Sequence, residues 1–303
     1  QRPTILSQKR DPTMPTLSPQ HHKIFTTDNH QLAAFTYGDS TLPPLVLVHG
    51  YPDRHTVWEK VIPHLIADFF VIAYDVRGAG ESDCPTYIKA YHLLQLSEDL
   101  QAVAKQLLGD KPFHLAAHDW GSIQAWEAVT DLKLAGKILS FSTISGPCLD
   151  HVALYLRSIG SQPAKLLSIL SKSWYIGMMH LPFLAPTFWQ TYSPKQWQKH
   201  VQKLENTQDI PLDTLVQTDG KHGIALYRAN FLPRNLRPRQ RFAHSPVQAI
   251  VLTQDKFVSA DYIDAMPQWV KNFQKVSVNS NHWGILSQPN VIAEHIRHFA
   301  RQF

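Results

Sequence analysis

Cysteine is nearly absent: Cys84 and Cys148 are the only two in 303 residues. That excludes a disulfide scaffold and any multi-cysteine metal site, and it fits a reducing compartment. Long apolar runs are missing too. No window approaches the ~18 consecutive apolar residues of a transmembrane helix, and the N-terminal stretch has no apolar stretch of signal-peptide type. The cytoplasm is therefore the expected location. Histidine is plentiful at 17, yet no HExxH or paired-His spacing occurs, so no metal is expected. The net charge is +5 and the pI about 9.1. The positive charges look scattered apart from Arg234 to Arg241 (RNLRPRQR), which reads as a solvated surface loop. No helix-turn-helix, RRM or zinc-finger pattern accompanies them, so no nucleic-acid partner is expected. Charged residues make up only 17% against 44% hydrophobic, a balance that argues against disorder.

What is present is an alternation. Residues 22 to 37 read as two short strands around a turn. Continuous apolar runs at Leu45–Val48, Phe69–Tyr74, Phe113–Ala117, Lys137–Ile144, Val247–Thr253 and Lys275–Val278 have the pattern of strands buried on both faces. Between them, Val57–Ala67, Leu93–Leu108 and Gly121–Leu132 have helical spacing, as does Asn290–Gln302 at the end. Buried strands alternating with helices predict an α/β fold with a mostly parallel sheet flanked by helices. The alternation stops between about 148 and 240, where Trp- and Pro-rich helical segments predict an inserted helical unit. The expected organisation is a flexible arm over 1–21, with Met14 as the native start, a core over 22–147, a helical cap over 148–242 and the rest of the core over 243–303.

Three residues at strand ends carry the chemistry. Ala117-His118-Asp119-Trp120-Gly121 takes a buried strand straight into a helix with small residues flanking Asp119, the pattern of a nucleophile elbow. Asp also caps helices well, so this segment alone leaves a capping role open. Asp255 then follows the strand ending VLTQD, and His282 follows the next strand in NSNHWG. Nucleophile, acid and base thus come in the order such an enzyme requires, each at a strand end. Asp150 offers another acid position after the fourth buried strand. His118 and His151 read as structural. Upstream, His49-Gly50-Tyr51-Pro52 follows the first buried strand, where the backbone N–H of Tyr51, with that of Trp120, can form an oxyanion hole. The loop DVRGAGES has only a G-x-G spacing, too little for a phosphate loop.

HGYPD, DVRGAGES, AHDWGS, Asp255 and the His282 of NHWG together resemble the α/β-hydrolase superfamily, in the branch of epoxide hydrolases and haloalkane dehalogenases, where the elbow residue is Asp. The resemblance covers residues 22 to 303. It extends to α/β-hydrolase domains that stand ahead of a short-chain dehydrogenase in some fusions, whereas this sequence stops at Phe303. It implies a hydrolase with a cap over the site, no cofactor and no metal, and two cap tyrosines that hold an epoxide oxygen. Tyr227, in GIALYRANF, resembles one of them; Tyr175, in SWYIGMMHLP, is the candidate for the other, with Tyr155 and Tyr192 behind it. Trp120, Trp174, Met178 and Trp189 are the expected substrate-binding residues, and their character suggests a small apolar substrate. The expected reaction is conversion of an epoxide to a diol through an Asp119 ester, hydrolysed by water that His282 activates. A dehalogenase would need a second N–H donor for the halide. Tyr51 occupies the usual Asn position, leaving Trp174, Trp189 or Trp197 to supply it. Trp120 stands where fluoroacetate-type enzymes have Arg. A non-catalytic binder on the same fold and a homodimer both remain open.

Overall fold

The computed structural model describes residues 18–303; Met14 and most of the arm expected over 1–21 lie outside the described residues. Eight strands form one sheet: β1 (Gln20–Phe25), β2 (Gln31–Tyr37), β3 (Pro44–Val48), β4 (Phe70–Tyr74), β5 (Phe113–His118), β6 (Ile138–Ile144), β7 (Val247–Leu252) and β8 (Phe273–Val278). Their spatial order is β1-β2-β4-β3-β5-β6-β7-β8. β2 runs antiparallel to β1 and β4, and every other pairing is parallel. Parallel strands need crossovers, and the crossover helices cover both faces of the sheet, so a central strand must be apolar on both sides. In β3, Val46 and Val48 join one core and Leu45 and Leu47 the other.

α1 (Leu93–Leu108) follows β4 and α2 (Trp120–Val129) follows β5. Leu96, Leu100 and Val103 of α1 complete the first core. Six helices fill the connection from β6 to β7: α3 (Leu149–Ser158), α4 (Pro163–Lys172), α5 (Trp174–His180), α6 (Leu184–Thr191), α7 (Pro194–Glu205) and α8 (Val216–Leu236). α8 touches α3, α5, α6 and α7 and is the spine of this group. α9 (Asp261–Asp264) follows β7, and α10 (Gly284–Ser287) and α11 (Pro289–Ala300) follow β8. Ile292 and Ile296 of α11 pack into the second core. No helix among the described residues is long and apolar enough to cross a membrane.

Two expectations need correction. The helical spacing of Val57–Ala67 is realised as two short 3-10 turns, His55–Trp58 and Ile62–His64. Val57, Trp58, Val61, Ile62 and Leu65 are all buried as the spacing requires. But Pro63 has no N–H to donate, and the bonds close three residues apart, as in Leu65 N–H to the Ile62 carbonyl at 2.9 Å. The basic run at 234–241 is not a solvated loop. Arg234 and Arg241 pair with the buried carboxylate of Glu127, and Arg239 pairs with Glu127 and with buried Asp150 at 2.9 Å. Charges separated in sequence meet in the fold, so the run closes α8 against the sheet layer instead of meeting solvent.

Candidate active site

Asp119 sits at the turn from β5 to α2 with φ +50° and ψ −124°. A non-glycine residue in this region is strained, and the strain lifts its side chain clear of the sheet edge. Small neighbours make the turn possible. A Cβ on Gly121 would lie 2.3 Å from the His49 carbonyl oxygen, and one on Gly50 would lie 2.6 Å from Asp119 Oδ1. The loop after β3 can therefore come close enough for Tyr51 N–H to donate to Asp119 Oδ1 at 2.8 Å. Trp120 begins α2, so its N–H has no helical partner and lies at the positive end of the helix. The buried His49 ring secures the loop from behind: Nδ1–H donates to the Gly50 carbonyl, and Nε2 accepts from Val76 N–H, each at 2.8 Å.

His282 and Asp255 complete the group. His282 Nε2 is 3.5 Å from Asp119 Oδ2, and Nδ1 is 2.9 Å from Asp255 Oδ2. The other Asp255 oxygen accepts from the N–H groups of Phe257 and Val258 at 2.7 and 3.0 Å. Burial pushes the His282 imidazole down, but the two flanking carboxylates outweigh it and hold it well above the usual histidine range. Burial likewise pushes Asp255 up, and His282 with the N–H donors brings it below its usual value. Beneath them, His118 Nε2 is 2.8 Å from the His282 backbone carbonyl. A carbonyl only accepts, so Nε2 carries the proton. Burial, then the neighbouring His282, lowers His118 to about 4 and keeps it neutral. His118 thus holds the loop of the candidate base.

The tyrosines face the same space. The rings of Tyr175 and Tyr227 are 6.2 Å apart and perpendicular, and Tyr227 packs edge-on against Trp120 at 4.8 Å. Burial first, then the Asp119 charge, raises Tyr175; burial, Tyr175 and Asp119 raise Tyr227. No protein acceptor among the described residues takes the Tyr227 O–H, which leaves it free to donate elsewhere. Tyr155 packs on Tyr262, and Tyr192 on Phe188 and Trp197.

Other expected residues lie elsewhere. Trp174 is exposed, and Met178 is half-buried beside fully buried Met179. Trp189 is buried, but its indole N–H donates to the Tyr51 hydroxyl, which in turn donates to the Gly220 carbonyl of α8 at 2.8 Å. Asp150 is held by Arg239 away from His282, and His151 bonds the Arg241 carbonyl at 2.7 Å and stacks on Trp269. Tyr51→Phe is expected to cost about 1–3 kcal/mol of stability in urea unfolding, because a buried carbonyl and a buried indole N–H lose their shared partner. A change within error would mean that these groups find other partners.

Two acids beyond those expected flank the site. Asp53, the last residue of HGYPD, is buried and accepts from the Trp283 indole at 3.1 Å. Burial, then the charges of Asp119 and Asp213, outweighs that bond and raises it to about 7. Asp219 lines a small cavity between the loop after β4 and α8, behind Tyr51 and Trp120. Its Oδ1 accepts from Gly80 N–H at 3.2 Å, whereas Oδ2 has no partner among the described residues. Burial, then Asp213, raises it to about 7 from 3.8. Its folded value exceeds its unfolded one, so ionisation costs stability increasingly from pH ~4 to ~7, and by a constant amount above that. Asp219→Asn is expected to raise the thermal midpoint by roughly 2–4 °C at pH 8 and by less at pH 5. An equal shift at both pH values would refute the charge argument. The motif position of Asp53 could have signalled it; Asp219, in the first turn of α8, reads in the sequence only as an ordinary acid at a helix start.

Comparison with known proteins matches this fold. The family of the alpha/beta hydrolase fold matches residues 43–211. "Probable oxidoreductase EphD" of Mycobacterium tuberculosis is 28% identical over 303 residues, covering 95% of this chain and 50% of that protein. The chain thus spans about half the length of this relative. "Epoxide hydrolase 4" of Homo sapiens is 24% identical over 289 residues, 90% of this chain and 75% of that protein. Among solved structures, epoxide hydrolase VrEH1 from Vigna radiata superposes with a TM-score of 0.76 at 18% identity, covering 94% of this chain and 98% of its own. The parallel sheet, the strained acidic elbow and the matched family over more than half of its length place this chain in the α/β-hydrolase fold family.

Proposed function

We propose that the chain is an epoxide hydrolase that opens a small apolar epoxide to a vicinal diol. One observation carries this reading: the elbow residue is a carboxylate with Oδ1 held by Tyr51 N–H and Oδ2 left toward His282, in a site faced by the buried Tyr227 and the half-buried Tyr175. A carboxylate suits displacement at sp3 carbon; with an ordinary ester it would give an anhydride. Helices α3 to α8 serve as the cap over this site.

The charges support a closed proton cycle. At rest Asp119 is anionic and His282 cationic. Asp119 Oδ2 bonds to an epoxide carbon, the ring C–O bond breaks, and Tyr175 or Tyr227 protonates the departing oxygen. The ester has no charge at Asp119, so His282 loses one of its two flanking anions and its proton affinity falls. It passes its proton to the tyrosinate and becomes a neutral base oriented by Asp255. His282 then deprotonates water, and the hydroxide adds to the Asp119 carbonyl carbon. The oxyanion forms at Oδ1, opposite Tyr51 N–H and the orphan N–H of Trp120. Collapse releases the second diol oxygen, which takes the proton of the new carboxylic acid. Asp119 is again anionic and His282 again cationic, and neither cofactor nor metal enters.

The related names support the choice of epoxide. A halide would need a second donor, but the Trp189 N–H is spent on Tyr51, Trp174 faces solvent, and Trp197 packs on Trp189, His200 and Trp283. Product analysis over paired panels of apolar epoxides and haloalkanes tests the reading. Diol without free halide is the expected result; halide release would make the protein a dehalogenase, and inertness on both panels would favour a binder.

A further inference from the structure

Six of the exposed large apolar side chains fall in one stretch of the cap: Leu167, Leu170, Trp174, Leu181, Phe183 and Leu184. Phe183 is 83% exposed, Leu167 70% and Trp174 69%. Leu167, Leu170 and Trp174 follow one another at helical spacing across the end of α4 and the start of α5. The buried side chains of the same two helices, Ile169 and Met179, lie on other positions. These helices therefore have an inner apolar side against the fold and an outer one against nothing. A cluster of this kind calls for a partner, whereas single exposed leucines do not.

Charge indicates which partner. From His151 to Leu204 the sequence contains no Asp or Glu, and it carries Arg157, Lys165, Lys172, Lys195, Lys199 and Lys203. Six positive charges exceed the net +5 of the whole chain, so the remainder is slightly acidic. The cap is the cationic part of the molecule. Lys165 is partly neutralised by Asp261 at 3.4 Å, but Lys195, Lys199 and Lys203 are exposed along α7 and have no ion-pair partner among the described residues. Trp, Phe and Leu tips on helices that also carry Lys165 and the exposed Lys172, within a span that has no acid of its own, make up the composition of a surface that rests in the headgroup layer of an anionic bilayer. A protein partner with an apolar patch would match the tips but would not explain an acid-free span of this length.

We propose that the outer surface of α4, α5 and the turn into α6 docks on an anionic lipid bilayer, with Trp174 and Phe183 entering the interface. The same α5 carries Tyr175 next to Trp174, so docking would place the membrane one helix away from the candidate site. An apolar substrate dissolved in lipid would then reach the cap without crossing water. The surface itself does not depend on the proposed reaction, and its test needs no turnover.

Flotation with vesicles of phosphatidylcholine containing phosphatidylglycerol, beside vesicles of phosphatidylcholine alone, decides the matter. The chain is expected to float with the anionic vesicles and to be released several-fold by raised salt, because surface charge is screened. Leu167→Ser/Phe183→Ser is expected to lose about tenfold in partitioning, since two apolar side chains no longer enter the interface. Circular dichroism checks that the variant stays folded; if it does not, Leu184→Gln serves in its place, and the comparison of the two lipids on the unaltered chain decides alone. No preference for the anionic vesicles, or a variant that floats as well as its parent, overturns the proposal. So does a concentration-dependent dimer that the double substitution dissolves, because a second copy would then be the occupant.

Discussion

His282→Ala is expected to consume one epoxide per molecule and then stop. The first step needs the Asp119 carboxylate and a tyrosine proton, and neither comes from the imidazole side chain in that step. The second step needs a base beside the ester carbonyl, and among the described residues no other neutral base lies at 3.5 Å from Asp119. His118 is the nearest alternative in sequence, but its protonated Nε2 is engaged with the His282 backbone carbonyl. Intact mass should therefore show the protein plus one epoxide, with turnover reduced by on the order of 10⁴-fold or more. Asp119→Ala is expected to lose activity to a similar extent and to gain no mass. Single turnover of the unaltered chain in H₂¹⁸O should give a diol whose new oxygen is ¹⁶O, with ¹⁸O left in Asp119. A diol labelled directly by solvent would mean that water attacks the epoxide and that Asp119 is not the nucleophile.

The residues of this step were legible in the sequence because each stands at the end of an apolar run, and apolar runs are what a parallel sheet writes into a chain. Asp119, Asp255 and His282 occupy the same edge for that reason, and the sheet brings them within 3.5 Å of one another in a chain. The oxyanion loop was legible for a related reason: Gly50 and Pro52 mark a turn, and a turn after β3 lies beside the ends of its parallel neighbours β4 and β5. The helical connection was harder to read. Its hydrophobic residues serve an inner side, an outer side and the space over the site, and composition does not separate the three. Trp174, Met178 and Trp189 look alike in the sequence, yet one is exposed, one half-buried and one spent on Tyr51. Arg239 and Arg241 resembled a solvated run because Glu127 and Asp150, which neutralise them, lie about a hundred residues earlier. Pairings of that range depend on the tertiary fold, and no local pattern announces them.

Replacing both Tyr175 and Tyr227 by Phe is expected to remove most of the first step and leave the second intact. An epoxide oxygen leaving as a bare alkoxide is a poor leaving group, and proton donation by a positioned acid is worth about 10²–10⁴-fold. Either hydroxyl can serve, so each single Phe variant should lose roughly 10–100-fold and the double variant on the order of 10³-fold or more. Folding should survive. Neither hydroxyl donates to a protein acceptor among the described residues, so the substitution strands no buried partner. Burial and the Asp119 charge hold both phenols above the usual tyrosine value. They stay protonated as pH rises through 10, so an alkaline loss of activity should not follow an ordinary tyrosine titration. The chemistry supplies a sharper check. An epoxide bearing an electron-withdrawing group leaves as a weaker base and needs the proton less, so the double variant should lose less activity on it than on a simple alkyl epoxide. Equal losses on both would show that the tyrosines position the substrate without donating to it, and the acid role would then have to move to another group in the site, with the Asp53 carboxyl, raised to about 7, the first to test.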